Sequence, residues 1–291
     1  MKSLALILPL VFTASAASAG LAAEPLRVVA AENFYGDLAQ QIGGAYVAVT
    51  SILTNPDQDP HLFEASPETA RAIAGAKVVI ANGAGYDPWM AKLAAASPAP
   101  GRAEIEVAAL VGAKPGANPH LWYSPANMKA AAKALAQALA AADPAHAHAY
   151  SANETAFEAS LKGVDDTLAS LGARYKGAPI AASEPVFGYA ADAIGLDVRE
   201  QKFALAVMND AEPSPSDVAT FETDLKGRKV RALIYNSQAS EPAVERLVAL
   251  AKANGVPVVG VTETEPPDTR YQDWVKGELD ALDRALSARV N

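Results

Sequence analysis

Cysteine is absent from the 291-residue chain. That absence excludes disulfides, thiolate metal sites, thiol nucleophiles and a lipid anchor on an acylated N-terminal cysteine. Basic residues are also in deficit, with 24 Lys and Arg against 33 Asp and Glu and a formal net charge of −9. A surface that tracks nucleic-acid phosphates needs a basic stripe, so this balance argues against nucleic acid as a partner. Past residue 23 no apolar run approaches the roughly 20 residues that a membrane-spanning helix needs. What the chain does have is 51% AVILMFWYC residues and only 20% charged ones, enough to bury a large core. Its length suggests two domains.

Met1-Lys2-Ser3 is a short positive start, Leu4 to Phe12 an apolar run, and Thr13 to Ala23 a small-residue stretch. This is the pattern of a secretory signal peptide over residues 1–23. Cleavage after Ala19, where Ala17-Ser18-Ala19 is an A-x-A pattern, and cleavage after Ala23 are both compatible with it. With no cysteine to acylate, the mature protein is expected to be soluble and exported, in a two-membrane bacterium to the periplasm.

Beyond Glu24, short β-branched runs alternate with alanine-rich helical stretches, the signature of an α/β fold. Strands are expected at Leu26 to Ala30, Val47 to Leu53, Lys77 to Ala81 and Ile105 to Leu110. A second set falls at Pro179 to Ala182, Arg231 to Tyr235 and Val256 to Val261. Two clusters predict two Rossmann-like α/β lobes, residues 24–143 and 176–291. Between them, Asp143-Pro144 opens a run with apolar residues at Tyr150, Phe157, Leu161, Val164, Leu168, Leu171 and Tyr175. The spacing predicts one rigid linking helix over 144–175, about 48 Å long at ~1.5 Å per residue. A last amphipathic helix carrying Trp274, Leu279, Leu282 and Leu286 is expected to close the second lobe.

Histidine is scarce, with four in the chain. Two lie in near-copies of one motif: Asp59-Pro60-His61-Leu62-Phe63 leading to Ser66-Pro67, and Asn118-Pro119-His120-Leu121-Trp122 leading to Ser124-Pro125. Each Ser-Pro reads as the N-cap and first residue of a helix, so each histidine sits in a proline-stiffened loop before a helix start. A metal-binding imidazole must be held in one orientation, which such loops favour. His146 and His148, two apart on the linking helix, do not share a face and are read as solvated surface residues. Ligands in open α/β sheets sit beyond the carboxyl ends of strands. Glu184, in Ser183-Glu184-Pro185, and Glu263, in Thr262-Glu263-Thr264, occupy equivalent positions after two separate strands. Gly83-Ala84-Gly85 lacks the third glycine of a dinucleotide fingerprint and reads as a turn after a strand.

Taken together, Asp59-Pro60-His61, Ser66-Pro67-Glu68, the Ala81 to Trp89 segment, Asn118-Pro119-His120-Leu121-Trp122, Ser183 to Tyr189, Glu212 to Pro215 and Val256 to Thr264 resemble the metal-binding subunits of bacterial zinc and manganese ABC transporters. The resemblance covers nearly the whole mature chain. It implies two α/β lobes joined by a long helix, one divalent ion (zinc or manganese) in the cleft, and an ABC permease with its ATPase as partners of a monomeric binding protein. It also implies a ligand set of His61, His120, Glu184 and Glu263, with Glu263 one methylene longer than the family's usual aspartate. The histidine-rich loop of many zinc-specific members is missing, since Gly112 to Pro119 contains no histidine.

Two imidazoles and two carboxylates without sulfur suit zinc, manganese or ferrous iron. Carboxylates bind through one or both oxygens, and a coordination number above four leans toward manganese or iron. The competing classes are a secreted metallohydrolase and a metal-dependent adhesin. A catalytic zinc keeps an open position for water, whereas these four donors would close the site, and no His-Glu-x-x-His motif exists.

Overall fold

The short Val-, Ile- and Ala-rich runs form two parallel sheets in the computed structural model, which describes residues 24–55, 63–114, 116–209, 211–238 and 242–288. The signal-peptide segment and His61 lie outside the described residues. In the first lobe β1 (Leu26–Glu32), α1 (Asn33–Gly43), β2 (Val47–Leu53), α2 (Pro67–Gly75), β3 (Val78–Ala81), α3 (Pro88–Ala96), β4 (Ala103–Glu106), α4 (Val107–Val111) and α5 (Pro125–Ala142) follow in turn. The sheet order is β2-β1-β3-β4. After α6 (Ala147–Ser160) and α7 (Lys162–Tyr175) come β5 (Pro179–Ala182), α8 (Gly188–Ile194), β6 (Asp197–Arg199), α9 (Gln201–Met208), α10 (Pro215–Lys226), β7 (Leu233–Asn236), α11 (Pro242–Ala253), β8 (Val258–Val261) and α12 (Tyr271–Ser287). The second sheet repeats the plan as β6-β5-β7-β8. In each sheet the first strand sends connections both ways, so the crevice for a ligand opens between β1 and β3 and between β5 and β7, beyond their carboxyl ends.

Both Ser-Pro helix starts form as the sequence predicts. Ser66 accepts the Thr69 N–H at 3.2 Å as the N-cap of α2, and Ser124 caps α5 through the Asn127 N–H. Two expectations change. Ile105 to Leu110 is not one strand: β4 ends at Glu106 and the apolar run continues as α4, closed by Gly112 in the left-handed conformation (φ 66°). A short apolar run fits a strand or a buried helix equally well, and the glycine cap decides here. The linking segment 144–175 is helical throughout, but as a 3-10 turn (Pro144–His146), α6 and α7 rather than one helix. At the junction Ser160 Oγ donates to the Phe157 carbonyl at 2.6 Å, and the Leu161 N–H is shared between the Phe157 and Glu158 carbonyls. Such a back-bonded serine competes with the helical ladder and tightens it locally.

The predicted apolar face of that segment is buried from Tyr150 to Tyr175. It does not separate two independent cores. One continuous cluster runs from Val28, Phe34 and Ile80 of the first lobe through Trp122, Phe157 and Leu168 to Ile180, Trp274 and Leu282 of the second. A smaller cluster backs each sheet on its other face. Helix α12 therefore does more than close the second lobe, because Trp274 packs at 5.9 Å from Phe34 and 5.8 Å from Tyr123, ring centre to ring centre.

Candidate metal centre

Loop residues beyond the strand ends converge between the lobes. Asn82 follows β3 and donates its side-chain N–H to the Pro119 carbonyl at 2.7 Å, while the Tyr35 hydroxyl donates to Asn82 Oδ1 at 2.9 Å. The Pro-His loop is thus tied to the central strands. Asn118 orients the imidazole: its Oδ1 accepts the His120 backbone N–H at 3.0 Å and lies 2.6 Å from Nδ1. An amide oxygen only accepts, so Nδ1 carries the proton and Nε2 presents its lone pair. Asn118 Nδ2 donates to the Pro185 carbonyl at 2.7 Å, across to the loop that bears Glu184. That approach requires Gly188, where a Cβ would lie 2.5 Å from Asn118 Nδ2.

His120 and Glu263 are fully buried and face each other, with Nε2 3.3 Å from Oε2. Tyr86 donates its hydroxyl to the same Oε2 at 2.9 Å. The other oxygen, Oε1, accepts from Asn236 Nδ2 at 2.5 Å, and the same amide nitrogen donates to Glu184 Oε2 at 3.1 Å. Gln238 Oε1 accepts the Glu263 and Thr264 N–H groups, fixing the loop after β8. Glu278 of α12 fixes it from below by accepting the Thr262 N–H and the Tyr123 and Trp274 donors, and burial pushes its carboxyl up to about 7. Ligand atoms around one ion at bond lengths of about 2.0–2.1 Å sit roughly 3.3 Å apart at a tetrahedral angle, and the His120–Glu263 separation fits that edge.

Of the four residues expected as ligands, the fold brings His120, Glu184 and Glu263 together where the two lobes meet, and His61 lies outside the described residues. Among the described residues no three His, Asp or Glu side chains form a metal-holding group by themselves. His146 is away from this centre and is more than a solvated residue. It stacks on Tyr46 with ring centres 3.7 Å apart and meets Asp143 through Nδ1 at 2.5 Å. His148 is exposed. Gly83, Ala84 and Gly85 all have positive φ, the turn that the sequence suggests, and a Cβ on Gly83 would come 2.4 Å from Glu106 Oε1.

Sequence reasoning passed over Asn236, which ends β7 as Glu184 and Glu263 follow β5 and β8. Inspecting every strand end, instead of the acidic ones, finds it. It also passed over Glu32 and Asp87. Glu32 is fully buried at the end of β1, with the Asp87 carboxyl beside it. Burial, and then the neighbouring Asp87 carboxylate, push Glu32 well above the ordinary range. Burial raises the Asp87 carboxyl above its ordinary range, offset only in part by the Asn82 and Gly83 N–H groups that it accepts at 2.6 and 2.8 Å.

Known proteins share both sequence and fold with this chain. The manganese-binding lipoprotein MntA of Bacillus subtilis (strain 168) is 27% identical over 287 residues, covering 92% of each protein. The manganese ABC transporter substrate-binding lipoprotein PsaA of Streptococcus anginosus is 23% identical, covering 97% of this chain and 96% of the relative. The solved structure of the periplasmic zinc binding protein TroA from Treponema pallidum superposes with a TM-score of 0.77 at 20% identity, over 91% of this chain and all of that one. Residues 28–285 match the family described as zinc-uptake complex component A, periplasmic, and the chain belongs to that family.

Proposed function

We propose that this chain is the metal-capturing subunit of an ABC importer, exported to the periplasm by its signal peptide and acting as a monomer without catalytic activity. Its cargo is one divalent cation, zinc, manganese or ferrous iron, held by His61, His120, Glu184 and Glu263 between lobes 24–143 and 176–291. The observation that carries the reading is the fully buried His120–Glu263 pair at 3.3 Å, bridged through Asn236 to Glu184. Burying carboxylates away from water is costly unless a counter-charge meets them, and a divalent cation supplies it. The imidazole is set in the tautomer that offers Nε2 to the ion, and Asn118 joins that loop to the one carrying Glu184. The chain's membership of the zinc-uptake family and its likeness to PsaA, a manganese ABC transporter substrate-binding lipoprotein, both support a transport role.

The test uses mature protein stripped with chelator and dialysed against zinc or manganese. One ion per chain is expected, no turnover of peptide or ester substrates, and faster ATP hydrolysis by the reconstituted importer when the loaded protein is added. Hydrolytic turnover that depends on the ion would replace this reading with a metallohydrolase.

A further inference from the structure

Asp87 stands immediately before Pro88, the first residue of α3, in the place where an aspartate ordinarily caps its own helix. It does not cap α3. Its carboxylate turns back onto the turn after β3, where Oδ2 accepts the Asn82 N–H at 2.6 Å and Oδ1 the Gly83 N–H at 2.8 Å. The Tyr86 N–H closes the same turn on the Gly83 carbonyl at 3.0 Å. Gly83, Ala84 and Gly85 run there at φ 74°, 53° and 85°, a left-handed succession that an alanine adopts only when its surroundings hold it. Asp87 is 2% exposed, and Glu32 is fully buried beside it. Burial keeps the proton on Glu32, whose carboxyl donates to Asp87 and leaves it charged to accept both amides.

The turn carries two contacts to the centre at once. Asn82, at one end, holds the His120 loop by donating to the Pro119 carbonyl at 2.7 Å, and Tyr86, at the other, donates to Glu263 Oε2 at 2.9 Å. We propose that Asp87, braced by the Glu32 carboxyl, is a positioning residue of the metal centre: by gripping the 82–87 turn it sets the His120 imidazole and the Glu263 carboxylate at their spacing across the lobes. The inference rests on the metal-capture reading and extends it to two acids that stand behind the turn, not among the expected ligands. An asparagine at position 87 has the same size but only one acceptor oxygen. Its NH2 group would face one of the two backbone donors, and that buried N–H would lose its partner. The turn then relaxes, and both contacts shift with it. Donor atoms must sit within a few tenths of an ångström of their places around an ion, so the shift is read as lost affinity.

The test reads zinc affinity of the full mature chain by chelator competition at neutral pH, with a melting curve for each variant. Asp87→Asn is expected to weaken zinc binding about tenfold, within the range for groups behind a metal ligand. Because that loss passes in part through the Tyr86 hydroxyl, it should shrink several-fold in a Tyr86→Phe background, whereas two unconnected losses multiply. Glu32→Gln keeps a donor for Asp87 and Glu32→Met does not, so the glutamine variant should retain several-fold more affinity than the methionine variant. A folded Asp87→Asn chain with the parent's affinity overturns the inference and leaves one-ion capture standing, and so does an Asp87→Asn loss of undiminished size in the Tyr86→Phe background. If Asp87→Asn fails to fold, the Glu32 variants decide, and equal affinities for the two overturn it. A parent chain that binds no zinc overturns the capture reading itself.

Discussion

Tyr86, in the first lobe, donates its hydroxyl to Oε2 of Glu263, in the second, at 2.9 Å, and that oxygen is the one turned toward His120. A single phenol therefore joins the lobes at the centre and aims a carboxylate. Partners one step behind a metal ligand, the place Tyr86 takes if Glu263 binds the ion as proposed, typically change metal affinity by about tenfold to a hundredfold when removed. Tyr86→Phe keeps the ring packed 5.1 Å from Trp122, so a tenfold or greater loss of zinc affinity at unchanged melting temperature is expected in the chelated state. Parent-like affinity would show that the hydroxyl has no part in aiming Glu263.

Glu32 gives a pH signature. Its folded-state pKa lies well above the reference 4.5, because burial and Asp87 oppose its charge. Such a carboxyl favours folding while it is protonated, and the contribution is lost as pH rises toward the folded value. Glu278, pushed up to about 7, acts with the same sign. Metal-free protein should therefore melt at a higher temperature near pH 5 than near pH 8. Glu32→Gln removes one of these titrations while its amide can still donate to Asp87, so the variant's advantage in melting temperature should grow from about pH 5 to about pH 8. An advantage that shrinks as pH rises contradicts the assignment.

Metal loading has the opposite sign. An imidazole must be unprotonated to bind, so affinity should fall below about pH 6, where histidine takes up a proton. The gap in melting temperature between loaded and chelated protein should widen as pH is raised toward about 8. A gap that does not depend on pH counts against imidazole ligands. The shared core predicts that chelated protein still melts cooperatively, as one unit.

The extra methylene of Glu263 has a structural use. From the loop after β8 the side chain reaches Asn236, Tyr86 and the His120 imidazole together. Sequence comparison with the family's usual aspartate suggests that Glu263→Asp is tolerated or even tightens the site. The geometry predicts the reverse: the shorter acid forfeits at least one of these hydrogen bonds, at about 1.5–3 kcal/mol for a charged acceptor, and zinc affinity drops about tenfold or more. Competition titration of the single variant decides.

His146 separates stability from binding. Its ring stacks on Tyr46, and its hydrogen bond holds Asp143 below the usual carboxylate range. His146→Ala should lower the melting temperature and leave zinc affinity at the parent value. Loss of affinity in this variant would mean that the centre has been misplaced.

The layering of strands and helices, both Ser-Pro caps and the buried face from Tyr150 to Tyr175 were readable because each rests on local chemistry: periodicity, a capping hydroxyl, a proline at the first helical position. Glu184 and Glu263 stand out through their place after strands, and the fold brings both within reach of the Asn236 amide. What was missed depends on through-space partners. Asn236 is chemically unremarkable in sequence and gains its role from two carboxylates 52 and 27 residues away in the chain. Glu32 reads as one more acidic residue until its burial beside Asp87 is seen. The break at Leu161 turns on a serine bonding back to its own helix, and the strand that ends early at Glu106 on an apolar run compatible with either structure. The single core across both lobes needed the packing of Trp122 and Trp274, which spacing in the chain does not encode.

Zinc titration of the chelated mature chain and of its four single alanine variants, against a competing chelator, checks the proposal that one ion binds His120, Glu263, Glu184 and His61. One site is expected in the parent. His120→Ala and His61→Ala, which each remove a neutral donor, and Glu263→Ala and Glu184→Ala, which remove a charge as well, should each weaken zinc binding by about a hundredfold or more, at least about 2.7 kcal/mol. Parent-like binding by both the His120 and Glu263 variants would contradict it.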